Sequence, residues 1–364
     1  MNGKRYSSPR SRAESFAERL GIQLPIHLAP MAGSSPASLS IAVANAGGLG
    51  ALGALLMSPE EIRAWATEVR EGSKGKFQIN LWIPERAPVR DAELEAQQRE
   101  FLAKWGPAVP AGAGNTKLPD FDAQCQALLR VEPRVVSSIM GVYPAAFVAE
   151  LQARGVLWFA VATTVAEAKT AERAGADAIV AQGSEAGGHR GAFNSDDAEK
   201  QTVGLLSLVP QIADAVSVPV VAAGGIADGR GVAAALVLGA SAVQIGTGFL
   251  RSPEAKTPAP YANRLAETEA NDTLITRAFS GRPGRSAATA YVRAASAPDA
   301  PKAAPYPVQR GLTRAMREQA AKAGDAERMQ IWSGQSAKLA RAEAAGTICQ
   351  DLWQEGLQLL PGER

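Results

Sequence analysis

Short apolar runs and helical stretches alternate along most of this chain, and that alternation constrains its fold more than any other feature. Runs at residues 26–29, 48–53, 77–81, 135–138, 157–162, 178–182, 219–223 and 242–245 have strand length and apolar character, and a helical segment separates each from the next. Some helix ends are marked. Ser58 stands where an N-cap belongs, Pro59 opens the first turn, Glu60 and Glu61 suit the positive end of the helix dipole, and Gly175 stops a later helix. Strands that alternate with helices pair in parallel through right-handed crossovers. Eight such units suggest an α/β chain closed into a (β/α)8, or TIM, barrel, with a doubly wound open sheet as the rival.

The rhythm breaks in three places. Residues 1–15 carry Lys4, Arg5, Arg10 and Arg12 among Ser and Pro, without the apolar core of a secretory signal, and read as a loose arm. Residues 83–120 are rich in Pro, Gly and charge and read as an insertion over the barrel mouth, followed by a helix at about 121–129. Beyond a barrel assigned to residues 16–297, a Pro-rich stretch at 298–307 bridges to a helical segment from Arg314 onward, so that 298–364 is expected to cover the active site.

Composition narrows the partners. A formal charge of +2 with no long Lys/Arg stripe gives no reason to expect nucleic acid or an anionic membrane. No apolar run reaches the roughly 20 residues that span a bilayer, so a cytoplasmic monomer or homodimer acting on a small molecule is expected. Cys125 and Cys349 lie far apart in no metal-like or redox-like spacing and read as reduced packing residues.

In such a barrel, active sites lie where strands run into the following loops, and phosphate commonly binds after the last two strands. There the chain has Gly224 and Gly225, then Gly246-Thr247-Gly248, with a helix starting near Asp228. Residues 48–53 match G-x-G-x-x-G in letters, but a helix precedes them and the run itself reads as a strand, which assigns these glycines to core packing. The stretch after the sixth strand, 181–191, holds His189 behind Gly187 and Gly188. A histidine on a glycine-flanked loop at the mouth is suited to proton transfer near neutral pH. The only other histidine, His27, lies inside the first strand, so no metal site is expected.

The run Gln-Gly-Ser-Glu-Ala-Gly-Gly-His-Arg-Gly at 182–191 resembles the signature of the FMN-dependent nitronate monooxygenases, formerly called 2-nitropropane dioxygenases, in their bacterial class I form. Pro25-Ile26-His27-Leu28-Ala29-Pro30-Met31, Asn45 to Gly50, Asn80-Leu81, Val221 to Ile226, Gln244 to Thr247 and Trp332-Ser333-Gly334-Gln335 resemble further motifs of that family. The resemblance implies FMN contacts from Ala29, Pro30 and Met31, from Asn80, Gln182 and Gly187, from Gly224 and Gly225, from Gln244, Ile245, Gly246 and Thr247, and from Ser333. It places His189 on the family's catalytic histidine. It implies oxidation of an alkyl nitronate by O2, through the flavin, to a carbonyl compound and nitrite.

The chain also departs from the pattern. Where the family commonly has Phe-His-Phe before a glycine, this chain has Ser138-Ile139-Met140-Gly141, and where the family often has Tyr and Lys over the pocket it has Arg310 and Arg314. Tyr261 and Tyr306 are kept. The expectation is a pocket lined by these four residues that is less aromatic and more cationic, and suited to a nitronate with a second negative charge such as propionate 3-nitronate. Two alternatives remain, an FMN-dependent NAD(P)H:quinone or enoyl-ACP reductase on the same barrel and, more remotely, a flavin-binding protein without catalysis.

Overall fold

The computed structural model of the protein describes residues 8–360. Helix α1 (Pro9–Leu20) leads into strands β1 (Ile26–Leu28), β2 (Gly50–Gly53), β3 (Phe77–Trp82), β4 (Val135–Ile139), β5 (Leu157–Ala162) and β6 (Ala178–Gln182). A two-residue strand β7 (Gly188–His189) follows, then β8 (Val220–Ala223) and β9 (Ala242–Ile245). All but β7 join one sheet in the order β1-β9-β8-β6-β5-β4-β3-β2, with every pair parallel. His27 bridges Leu49, immediately before β2, and so brings the sheet's two edges together. The result is the TIM barrel expected, each strand within two residues of its expected place.

Helices α2 (Ala37–Asn45), α3 (Pro59–Gly72), α4 (Ala92–Ala103), α5 (Phe121–Val131), α6 (Ala145–Ala153), α7 (Val165–Arg173), α8 (Leu205–Ala215) and α9 (Gly229–Val237) lie between the strands. The helix signal at Ser58 is a full capping box, with Glu61 N–H donating to Ser58 Oγ at 3.2 Å and Ser58 N–H donating to Glu61 Oε2 at 2.7 Å. An inner core of Val135, Phe159, Val180 and Val221 fills the barrel, and a larger outer core packs strands against helices. The arm expected at residues 1–15 is corrected from Ser8 onward, since Ser8 caps α1 and Phe16 and Leu20 are buried. These two side chains pack against Val135, Ala178 and Ala242, the first residues of their strands, and so plug the end of the barrel opposite the mouth.

The chain's last part also departs from expectation. After β9 come α10 (Ala259–Glu267), β10 (Thr273–Thr276), β11 (Gly284–Ala287), α11 (Ala290–Ala295), α12 (Val308–Leu312), α13 (Arg314–Ala323) and α14 (Ala345–Leu359). Helix α14 does not cover the mouth. It packs between α9 and α2 and buries Ile348, Cys349, Leu352 and Trp353 in the outer core, where the helix after the eighth barrel strand belongs. Residues 247–344 are therefore an excursion inserted between that strand and its helix, and the segment 298–364 divides at about residue 344.

This excursion, the 83–120 insertion and β7 form a cap. Strands β10, β11 and β7 make an antiparallel sheet, and Leu102 of α4 packs with Phe279, Tyr291, Val308 and Met316. Gln98 and Gln309 join across the two halves at 3.0 Å, and Gln98 Nε2 also donates to the Pro301 and Lys302 carbonyls at 2.8 Å. Prolines on either side hide the helix at residues 92–103 within the stretch expected to be an insertion. Yet Asp91 caps the helix, accepting from Glu93 and Leu94 N–H at 3.0 Å.

Candidate active site

A cavity of about 430 Å³ opens at the strands' C-terminal ends, beneath the cap. That is within the size range of small-molecule and cofactor sites. Ala29, Pro30 and Met31 enter it from the end of β1, Asn80 from β3, Gln182 from β6, and Gln244, Ile245, Gly246 and Thr247 from β9 and the turn that follows. Gly187, His189, Gly224, Gly225, Tyr261 and Arg310 also line it.

The glycines are there for backbone reasons. Gly224 and Gly225 have φ of +112° and +69°, which side-chain-bearing residues avoid. A Cβ on Gly187 would stand 2.6 Å from the Gly334 backbone nitrogen. The turn at Gly224–Gly225 runs into α9, whose N-cap Asp228 accepts from Gly231 N–H at 3.1 Å. This turn therefore presents backbone at a helix N-terminus, a setting that favours an anionic group.

Three expected site residues do not line the cavity. Ser333 is fully buried with its hydroxyl directed to the Gly334 carbonyl, while its neighbours Trp332 and Gly334 do the lining. Tyr306 stands behind Trp82, ring centroids 5.3 Å apart, with its hydroxyl unpartnered. Arg314 is 75% exposed and pairs with Glu318 at 2.8 Å. The shared helical face expected for Arg310 and Arg314 fails because α12 ends and α13 begins at Thr313, which turns Arg314 to solvent.

Two tryptophans stand beside the histidine in this cavity. Trp82 and Trp332 flank His189, each with ring centroids 4.7 Å from the imidazole, at interplanar angles of 74° and 58°. Trp82 was legible in principle, because side chains alternate along a strand and Asn80 already pointed inward. Ile139 gives the cavity an apolar wall, and Ser138 turns away to accept from Trp158 Nε1 at 3.0 Å.

His189 is placed by a strand and not by a loop, since β7 pairs it with Gly284 of β11. Its Nε2 lies 2.8 Å from Ser280 Oγ, and its carbonyl accepts from Gln182 Nε2 at 3.1 Å. Burial between the tryptophans, aided by the Arg310 charge, lowers its pKa to about 3, so the ring is neutral at physiological pH. The Arg310 guanidinium is half-buried, has its own pKa lowered by burial, and meets no carboxylate among the described residues. The cavity thus holds a neutral imidazole beside an uncompensated cation. Among the described residues no cluster of His, Cys, Asp and Glu could hold a metal ion, and no helix is long and apolar enough to cross a membrane.

Residues 14–355 match the family described as nitronate monooxygenase. A probable nitronate monooxygenase of Staphylococcus aureus (strain Newman) is 36% identical over 350 residues, 95% of this chain and 98% of that protein. Among solved structures, a nitroalkane oxidase from Streptomyces ansochromogenes superposes with a TM-score of 0.86 at 38% identity, covering 94% of this chain and 98% of its own. FabK from Thermotoga maritima superposes with a TM-score of 0.73 at 29% identity, covering 94% and 96%. With the barrel, the glycine turns and the histidine in the arrangement described, this chain belongs to the nitronate monooxygenase family of oxidoreductases.

Proposed function

We propose that the cavity binds FMN noncovalently and that the enzyme uses it to oxidise an anionic alkyl nitronate with O2, yielding a carbonyl compound and nitrite. The observation that carries this reading is the unpaired Arg310 guanidinium facing the same cavity as the neutral His189. The residues present fit a flavin phosphate, because the glycine turns after β8 and β9 both line the cavity and the first of them leads into the N-terminus of α9. Bound flavin would supply the electron acceptor and pass electrons to oxygen.

The remaining chemistry falls to the chain's own side chains. Arg310 attracts and orients the anion, and the charge-assisted contact gains strength where water is excluded. His189 accepts the carbon-bound proton when the substrate arrives as the neutral nitroalkane. Ile139, Val161 and Val180 keep the deep wall of the cavity apolar. Propionate 3-nitronate remains our proposed substrate, but with one arginine to hold it: Arg310 grips one of its two anionic groups, and Arg314 takes no part.

The test is flavin identity and nitrite release. Purified enzyme should yield one FMN per chain and release nitrite in air from propionate 3-nitronate more efficiently than from ethyl nitronate. FAD on denaturation would overturn the cofactor assignment. Rapid anaerobic bleaching by NAD(P)H without nitrite formation would favour a reductase instead.

A further inference from the structure

Ser280 is 1% exposed and sits in a turn that several contacts fix independently of His189. Arg282 is fully buried and pairs with Glu85 and the Ala192 carbonyl, and the Phe279 carbonyl accepts from Thr313 Oγ1 at 2.7 Å. A Cβ on Gly281 would stand 2.2 Å from the Ala304 carbonyl oxygen, so the turn is held close against the chain at Ala304. Backbone pairing then fixes this turn relative to the histidine, through Gly284 opposite His189 and Arg190 N–H on the Pro283 carbonyl at 2.9 Å.

A serine hydroxyl has one proton to donate and two lone pairs with which to accept. Three partners surround Ser280 Oγ: the Arg282 N–H at 3.3 Å, the Arg282 carbonyl at 3.2 Å and His189 Nε2 at 2.8 Å. Two hydrogen arrangements are possible. If the hydroxyl proton goes to Nε2, the buried Arg282 carbonyl is left without a donor among the described residues. If it goes to the carbonyl, Nε2–H donates to the oxygen and all three partners are satisfied. Buried polar groups strongly favour the fully satisfied arrangement.

We propose that Ser280 is a positioning residue that holds His189 as the Nε2–H tautomer, leaving Nδ1 as the bare acceptor for a proton from substrate. This rests on the reading above that His189 takes a proton from a neutral nitroalkane. In that step the substrate C–H bond breaks, the proton goes to Nδ1, and the electron pair moves through carbon onto the nitro oxygens to give the nitronate. Ser280 itself touches no reacting atom.

The experiment uses the full-length enzyme with its cofactor, free of any histidine tag and labelled with ¹⁵N-histidine. The chain has only two histidines, so the ring spectrum contains His27 and His189 alone, and His189→Gln assigns them. Near pH 7.5 the His189 ring should be protonated on Nε2 and bare on Nδ1. Ser280→Ala should mix the tautomers and lower kcat/KM for a neutral nitroalkane about tenfold or more, with little change for the preformed nitronate, and Ser280→Thr should restore both. A proton on Nδ1 in the native enzyme overturns the proposal, as does an unchanged tautomer in Ser280→Ala. Should that variant fail to fold, the native spectrum still decides. The expected tautomer in an enzyme that releases no nitrite from any nitronate would support the role of Ser280 and overturn the proposed reaction instead.

Discussion

In the barrel, consecutive elements touch and the interior is filled by Val, Ala and Phe; in the cap, pieces far apart in sequence meet around buried polar groups. Gln98 on α4 finds Gln309 on α12, Thr313 holds the Phe279 carbonyl, and Arg282 reaches Glu85. The division extends to the site. The glycine turns that would cradle a phosphate sit directly on the ends of barrel strands β8 and β9, whereas His189, Ser280, Arg310 and Trp332 are carried by the cap. Cofactor binding and substrate chemistry thus rest on different parts of the molecule. Cap substitutions should change turnover with little effect on stability, and barrel substitutions should do the reverse.

The largest expected effect lies in the cap. His189→Asn should lower turnover of a neutral nitroalkane by about 10²–10⁴-fold while flavin content and the unfolding midpoint stay near native values. Nitrite release and thermal melts measure the two together, and a variant that melts early would erase the proposed division. On the barrel wall, Trp353→Ala removes a side chain buried in the outer core and should cost about 3–5 kcal/mol in denaturant unfolding. Its folded fraction should retain native kcat/KM, and a selective loss of activity would show that the wall and the site are coupled.

Arg310→Met should weaken binding of a nitronate by about 1.5–3 kcal/mol, roughly ten- to a hundredfold in KM. Because the Arg310 charge helps to hold the His189 pKa down, the same substitution should raise the pH at which His189 titrates. Arg314→Ala, on an exposed residue paired with Glu318, should change neither.

A last effect separates the regions by pH. His27 lies in the barrel near Phe16 and Phe159, at 6.1 and 6.2 Å, with both ring nitrogens unpartnered, and burial lowers its pKa to about 3. An unfolded chain protonates histidine near pH 6.5, so between the two values the unfolded state binds more protons and stability falls as the pH drops. His27→Phe should remove this contribution, flattening the loss by about 1.4 kcal/mol per pH unit between roughly pH 6 and 4. His189 would still contribute in the same window, so a flat profile would mean that the cap histidine is not buried as described.

Much of the barrel was legible because its signals are local. Strand period, capping residues and glycine stops each depend on a few neighbouring residues, and the N-cap at Ser58 formed as read. The glycine turns at 224–225 and 246–248 were found for the same reason. The cap was not legible in this way. Nothing near His189 announces that it will pair with Gly284, and a two-residue strand has no period to detect. Ser280 gave no signal at all until that pairing brought its turn to the imidazole. Arg310 and Arg314 share a face only if one helix runs through both, and nothing near them in sequence marks the break at Thr313, whose hydroxyl donates to the distant Phe279 carbonyl. Helix α14 looked like an appendage because the strand it follows in the barrel lies on the far side of the whole cap.

That placement of α14 has a consequence for the order of assembly. A chain synthesised from its N-terminus has all eight barrel strands before it has the helix that covers the seam between α9 and α2. Until α14 emerges, apolar surface at that seam stays open to water, and by then the ribosome has already made every residue of the cap described here. A sealed barrel lacking its cap is therefore not a stage through which the nascent chain passes, and closure of the wall certifies that the substrate side of the site has already been made.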